Sequence, residues 1–384
     1  MRAKNRTGTA ELIKKIALFG ERKIASRPGL CETMEFPLDI WKAMARDGLF
    51  KLGIPAKYGG TKVGYETIVG AGEALVRHGH NMGVALSWII ELLASGFMLA
   101  RFGTAAQRTH YLPEMAKGKL IACIAFSEPL TGADPRHLRT TAGRDGDDFI
   151  LNGEKAFLTN GPLADFFIVY AVTGIDKGRK RLSAFLVPKK NKNLTVTEIM
   201  ELDFLRPSPH CTVRLEGCRV PSSARLGREG TALEEMARPC RMLEDALLNG
   251  PILGGIAWQM DLMLDDIRRK GAPADEVKKD FGEMEMQRQM LRWMAHEAAR
   301  KMETRQDGSG PETLLVSFRA LALDSQSTAT RILERAGIEM EGELTFITKD
   351  IRRTLDLLRG GDTSRKKKLG EKVIGGKETN ERVR

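Results

Sequence analysis

Two pieces of one stretch decide the fold: Ile124-Ala125-Phe126-Ser127-Glu128-Pro129-Leu130-Thr131-Gly132-Ala133-Asp134 and Asn152-Gly153-Glu154-Lys155-Ala156-Phe157-Leu158-Thr159-Asn160-Gly161. The first reads as an apolar strand that ends in a hydroxyl, Ser127, and an acid, Glu128. Pro129, Gly132 and Asp134 then turn the chain. The second opens on Asn152-Gly153, a dipeptide that favours a tight hairpin turn because both residues tolerate positive φ. It continues as a short strand to Thr159-Asn160-Gly161, where the strand stops. Two strand ends carrying hydroxyls, amides and exposed backbone suit a flat polar ligand. Plain solvent-facing β edges are the alternative.

Around this stretch the chain changes character twice. Residues 121 to about 225 hold short alternating runs at Thr140–Ala142, Phe149–Leu151, Phe166–Val172, Leu182–Val187, Leu194–Thr197 and Cys211–Leu215, punctuated by Gly, Asn, Asp and Pro. That pattern predicts a β domain. Residues 9–120 carry helical spacing over Thr9–Ile24, Pro37–Leu49, Tyr65–His78, Met82–Arg101 and Gln107–Leu120, with Phe102-Gly103-Thr104 ending one helix and capping the next. Beyond 231, long periodic segments at Met236–Arg268, Glu276–Gln306, Pro311–Arg335 and Ile347–Arg359 predict an antiparallel bundle. Gln306–Pro311 reads as a loop, and Pro251 predicts a kink or a helix start. The expected fold class is α+β: an N-terminal helical domain over 1–120, a middle β-barrel or sandwich domain over 121–230, and a C-terminal four-helix bundle with a basic tail over 231–384.

Composition narrows the function. The 384 residues are 42% hydrophobic and 29% charged, an ordinary soluble balance with room for a large core. Five dispersed cysteines (Cys31, Cys123, Cys211, Cys218, Cys240) contain no C-x-x-C pair, which argues for reduced cytosolic thiols and against a disulfide framework or a zinc site. The six histidines are equally scattered; His78 and His80 around Gly79 read as a loop after a helix. Net charge is +11, and the segment from Arg359 onward, densest at Arg365-Lys366-Lys367-Lys368, supplies five of those charges. A solvated helix face explains that run. No aromatics interleave with the basic residues, so single-stranded nucleic acid is not expected. The longest apolar run, Val84–Ala100, contains Glu91 and two serines and reads as a buried helix, not a membrane span. The N-terminus lacks the apolar segment of a signal peptide, and the chain is expected in the cytoplasm.

The two quoted pieces resemble the flavin-contacting segments of the acyl-CoA dehydrogenase family, Thr/Ser-Glu-Pro-x-x-Gly-Ser-Asp and Gly-x-Lys-x-Trp/Phe-Ile-Thr-Asn-Gly. Pro55, Tyr58 and Gly59-Gly60, Tyr111-Leu112-Pro113, and Val220-Pro221 followed by Leu226-Gly227 and Gly230 extend the resemblance along the chain. It implies FAD as cofactor, with contacts from Ile124, Phe126, Ser127, Phe157 and Thr159, and further contacts from Arg269 and Thr363. Ala133 stands on the substrate side, where the family usually has a Ser that helps hold the acyl-CoA.

The resemblance also implies an α,β-dehydrogenation. A carboxylate removes the proton α to the thioester, and hydrogen-bond donors stabilise the charge on its oxygen. Many members carry the base near the C-terminus in Tyr-Glu-Gly-Thr. Here Arg359-Gly360-Gly361-Asp362-Thr363 resembles instead an Arg-Gly-Gly-Thr variant found in bacterial members, and Gly361 has only its backbone N–H to offer the thioester oxygen. Other members place the base in Leu-Glu-Arg on the first bundle helix, which puts Glu244 at that position. An exposed acid paired with Arg241 is its ordinary alternative. Asp245 follows on the substrate side, and is the base if the register is shifted by one. Arg269 matches a family Arg that reaches the ADP half of FAD, but Ala336–Gly342 stands where a Gly-Gly-x-Gly segment is usual. The implied partners are an acyl-CoA, an electron-transfer flavoprotein, and further copies in a homo-tetramer or homo-dimer, or a second chain in a hetero-oligomer. A non-catalytic subunit or acyl-CoA-binding scaffold of the same fold is the alternative.

Overall fold

A computed structural model describes residues 2–304 and 310–375. The order is α1 (Arg2–Phe19), α2 (Leu38–Arg46), α3 (Tyr65–Gly79), α4 (Met82–Leu92), α5 (Ala100–Phe102) and α6 (Ala105–Ala116), then strands β1 (Ala122–Ala125), β2 (Thr141–Asp145), β3 (Asp148–Thr159), β4 (Phe166–Asp176), β5 (Arg179–Pro188), β6 (Leu194–Met200), β7 (His210–Pro221) and β8 (Arg225–Leu226). Helices α7 (Arg238–Lys270), α8 (Asp275–Thr304), α9 (Glu312–Ala336), α10 (Gly342–Leu358) and α11 (Asp362–Gly375) complete it. The three expected zones are present: helices, a sheet domain, helices. By backbone contacts the chain divides into one unit of Met1–Ala25, Tyr65–Met82 and Asp245–Arg384, and another of Ser26–Gly64 and Gly83–Glu244.

The second unit is built on an eight-stranded sheet in the order β6-β7-β3-β2-β4-β5-β8, with β1 pairing in parallel to β4. Phe149, Leu151, Phe167, Val169, Phe185, Val187, Val213 and Val220 fill its core, all 1% exposed or less. Each such side chain contributes on the order of 1.5–3 kcal/mol by leaving water. Strand β4 begins with six consecutive buried residues, Phe166–Ala171, and reads as a continuous apolar run. Thr104 caps α6: its hydroxyl accepts from the Gln107 N–H at 3.2 Å, and the Gln107 side chain accepts from the Thr104 N–H at 2.9 Å. Met82–Phe102, the one helical stretch among the described residues long and apolar enough to cross a membrane, has 94% of its apolar window buried inside the fold.

The sequence expectation fails at Asn152-Gly153. No hairpin turn forms there; β3 runs straight through, with a register shift between Leu151 and Gly153. The hairpin turn lies earlier, at Gly146-Asp147, where Gly146 has φ +61°. Gly153 has φ +143°, and a Cβ there would stand 2.7 Å from Thr140 Cα, so both the backbone and the space require glycine.

In the first unit, α8 and α9 pack along their lengths, and α1 and α8 pack on α3. Helix α7 continues through Pro251, which neither starts nor ends it. Its glycines explain the neighbourhood: a Cβ at Gly250 would stand 2.2 Å from Val69 O, and one at Gly254 2.4 Å from Glu73 O. The two helices therefore meet backbone to backbone, with the Pro251 ring against Gly72. Helix α10 begins five residues earlier than the periodicity predicts. The Gln306–Gly310 part of the expected loop falls largely outside the described residues, as does the tail after Gly375.

Candidate functional site

The two quoted segments meet in the second unit, and one buried acid organises the meeting. Glu128 is 4% exposed. Its Oε1 accepts from the Thr140 N–H at 2.9 Å and from Lys155 Nζ at 2.9 Å, and its Oε2 accepts from the Arg139 N–H at 2.7 Å. Lys155, with no exposed surface, also donates to the Phe126 carbonyl at 3.0 Å. Burial alone would raise the Glu128 carboxyl; the Lys155 charge and the Thr140 and Arg139 hydrogen bonds outweigh it and hold the acid below its usual range. Burial brings Lys155 down to about 8 against the opposing pull of Glu128.

This clamp aligns the strand ends. Between Lys155 and Leu158 the β3–β7 ladder slips, leaving Ala156 and Phe157 as a bulge. The freed Ala156 N–H turns to the Ser127 carbonyl at 3.0 Å, joining the second segment to the first. Phe157 takes φ +58° and stays 53% exposed. A non-glycine in that region costs on the order of 1–2 kcal/mol, and an aromatic ring held out to solvent gains little in return. Bulges of this kind re-aim side chains next to functional sites. In the first segment Ile124, Phe126 and Ser127 are half-buried, and the Phe126 ring packs edge-on against Tyr170 at 5.0 Å. Ala133 is exposed in the turn after Glu128.

Thr159 ends the strand directly across from His210, and its Oγ1 lies 3.0 Å from His210 Nε2. His210 Nδ1 in turn lies 2.9 Å from the Ser208 carbonyl. Burial pushes the His210 ring down to about 4, so the imidazole is neutral at physiological pH.

The remaining expected residues lie on the helical elements. Glu244 is part-exposed, and its Oε2 sits 3.3 Å from Arg241 Nη1, the pairing that helix spacing alone predicts. Asp245 is fully buried in an ionic group: Arg365 Nη1 reaches its Oδ2 at 2.7 Å and Arg319 Nη1 at 3.5 Å, while Arg319 also forks onto Asp362. Asp245 thus ties α7 to α9 and α11. Gly361 ends a short 3₁₀ turn, Arg359–Gly361, at the start of α11, and Thr363 is exposed in that helix's first turn. Arg269 is exposed in the last turn of α7 and pairs with Asp266 at 3.1 Å.

Sequence reading missed Lys155 and His210. Lys155 had a signal: alternation from Phe149 and Leu151 turns position 155 inward, and an inward lysine requires an inward acid. His210 had none, because its pairing with Thr159 depends on a register that sequence does not fix.

Comparison with known proteins identifies the family. The acyl-CoA dehydrogenase N-terminal domain matches residues 9–119, and the acyl-CoA dehydrogenase middle domain matches residues 123–218. L-prolyl-[peptidyl-carrier protein] dehydrogenase of a Serratia species is 30% identical over 318 residues, 80% of this chain and 81% of that protein. The chain belongs to the acyl-CoA dehydrogenase family. Among solved structures, butyryl-CoA dehydrogenase from Megasphaera elsdenii superposes with a TM-score of 0.84 at 21% identity, covering 95% of this chain and 98% of that one. The FAD complex of PigA superposes with a TM-score of 0.82 at 24% identity, covering 96% and 97%. As an acyl-CoA dehydrogenase family member, the protein is a flavin oxidoreductase, and the PigA complex carries FAD on this fold. The strand ends fit such a group. They offer half-buried apolar side chains, one exposed aromatic ring on a strained backbone, and the hydroxyls of Ser127 and Thr159.

Proposed function

We propose that this protein catalyses the α,β-dehydrogenation of an acyl thioester, with acyl-CoA as the substrate class. The observation that supports this reading is the hydrogen bond from the Ala156 N–H to the Ser127 carbonyl, which joins the segment carrying Phe157 and Thr159 to the one carrying Phe126 and Ser127. Bound FAD supplies the acceptor for the hydride that leaves the β-carbon.

The chain's own residues do the rest. Glu244 takes the α-proton; its side chain is 23% exposed, open enough to meet a substrate. The backbone N–H of Gly361 donates to the thioester oxygen, where negative charge grows as that proton leaves. Asp245 holds α11, and with it Gly361, by pairing with Arg365. Arg269 and Thr363 complete the cofactor contacts. Electrons leave to an electron-transfer flavoprotein in the cytoplasm.

The protein works as a homo-oligomer. Helix α8 carries Met286, Met290 and Trp293 at 69%, 54% and 57% exposure, one apolar stripe at helical spacing that a further copy would cover. Similarity to a prolyl-carrier-protein dehydrogenase supports a second handle for the same chemistry, a thioester on a carrier protein instead of coenzyme A.

The deciding experiment is the visible spectrum of the FAD-loaded protein, titrated with acyl-CoAs and with carrier-protein thioesters. Bleaching by an acyl-CoA supports the reading, and bleaching by carrier-bound thioesters alone moves the substrate class. Flavin that no thioester bleaches removes the proposed reaction. Glu244→Gln should keep the flavin bands and lose the bleaching; a variant that bleaches at the wild-type rate removes Glu244 from the base role.

A further inference from the structure

Two exposed segments of the second unit are fastened into one surface. The loop from Pro129 to Arg139 leaves the buried Glu128, and the hairpin from Ile175 to Arg181 joins β4 to β5. Lys180 Nζ donates to the Arg136 carbonyl at 2.8 Å and to the Leu138 carbonyl at 2.7 Å, which fixes the loop to the hairpin. The two segments carry six cations, Arg136, Arg139, Lys177, Arg179, Lys180 and Arg181, against two acids, Asp134 and Asp176. Asp134 pairs with Arg136 at 2.6 Å. Arg139, Lys177, Arg179 and Arg181 are exposed, and among the described residues no acid lies within ion-pair distance of any of them. Apolar side chains stand with these charges. Leu130 is fully exposed at φ +65°, a backbone that leucine rarely adopts, and Ile175, opposite Lys180 in the ladder, is 70% exposed. Strands β2 and β4 pair only at Thr141 and Val172, and an open groove of about 430 Å³ lies between them, with Gly143, Arg144, Thr173 and Ile175 in its lining.

We propose that this surface docks an acidic protein that carries the acyl thioester, with Leu130 as the apolar anchor. The inference rests on the reading of the protein as a thioester dehydrogenase, and it names the partner that delivers the thioester. The loop is held by Glu128, the acid that organises the candidate site, so a protein seated on it brings a thioester arm to that site. Charge and exposure together select the partner. A coenzyme A nucleotide would pair with the cations and leave Leu130 and Ile175 in water. A protein face with acids around an apolar patch uses both, covering the apolar side chains at its centre and meeting the cations at its rim. No Phe, Tyr or Trp stands in either segment to stack on bases, which sets single-stranded nucleic acid aside.

The test uses the FAD-loaded full chain and the acyl group that bleaches its flavin fastest. That group is supplied on a phosphopantetheinylated carrier protein, on coenzyme A, and on pantetheine, which has neither protein nor nucleotide. Wild type should show its highest kcat/KM on the carrier protein, falling as salt rises. Lys177→Glu with Arg179→Glu should lower that value about tenfold at low salt and by less at high salt. Leu130→Gly, which the left-handed backbone accepts, should lower it about tenfold at either salt concentration. Neither variant should change turnover of the acyl-pantetheine. If charge reversal slows the acyl-CoA as much as the carrier protein while Leu130→Gly changes nothing, the surface holds phosphates and protein docking is overturned. If the carrier protein is turned over no faster than pantetheine, or the variants leave it unchanged, docking is overturned while the dehydrogenase reading stands. An equal loss on acyl-pantetheine places the effect in the chemistry and also overturns docking. If none of the three thioesters reduces the flavin, the dehydrogenase reading falls and this inference falls with it.

Discussion

Lys155 donates to Glu128 at 2.9 Å with no exposed surface of its own, so one buried ion pair fastens the strand end carrying Phe157 and Thr159 to the one carrying Phe126 and Ser127. Removing one partner strands the other charge in the core. Lys155→Met should cost about 3–5 kcal/mol of stability. The flavin should be lost with it, because the Phe126 carbonyl loses the same donor. Urea denaturation and flavin retention on desalting measure both. A loss below about 1 kcal/mol would mean that the remaining donors to Glu128 suffice without the pair.

Glu91 lies on α4 at 1% exposure, and its Oε2 accepts from the Ala122 N–H at 3.0 Å. Burial pushes its carboxyl up to about 8, against the opposing hydrogen bond. Because the folded-state pKa lies above the unfolded one, the folded chain holds the extra proton between pH 4.5 and about 8, and stability falls as pH rises through that window. Glu91→Gln keeps an acceptor for Ala122 and cannot ionise. It should leave stability at pH 4.5 nearly unchanged and raise it by a few kcal/mol, to order of magnitude, at pH 8. Equal effects at the two pH values would show that another group titrates.

Arg319 is fully buried between Asp245 and Asp362. Arg319→Met fills similar space but leaves two carboxylates short of a cation, and should destabilise by about 3–5 kcal/mol. The local effect should appear in hydrogen exchange, as faster exchange in α11 than in α8. Uniform exchange across both helices would mean that the ionic group does not hold α11 separately.

The α8 stripe predicts the behaviour of the protein in solution. Met290→Glu with Trp293→Glu should lower the sedimentation mass toward that of one chain while preserving the circular dichroism spectrum. An unchanged mass would place the contact between copies elsewhere.

The three zones were legible because their hydrophobic periods differ, and the family because the motifs of the two segments and their spacing coincide. What escaped depends on tertiary neighbours. Asn152-Gly153 continues strand β3 instead of turning: it pairs with β7, where the extra residue of the register shift lies at Glu216-Gly217, and the Thr140 backbone lies against Gly153. Pro251 sits inside a helix because Gly72, Gly250 and Gly254 let α7 and α3 close on each other, and packing outweighs propensity. Within the basic run, Lys366, Lys367 and Lys368 are exposed as a solvated face requires, while Arg365 turns inward to an acid 120 positions away. Asp245 matched a substrate-side position by register; its side chain holds two arginines, a geometry that spacing along the chain does not encode.

The left-handed backbone at Phe157 has a consequence for how this chain tolerates change. Glycine adopts φ +58° freely, so Phe157→Gly would relieve strain and strengthen the fold while removing the exposed ring from the proposed flavin edge. Variants of this protein selected only for thermal resistance would be drawn to position 157, and would become sturdier as they became poorer flavoproteins.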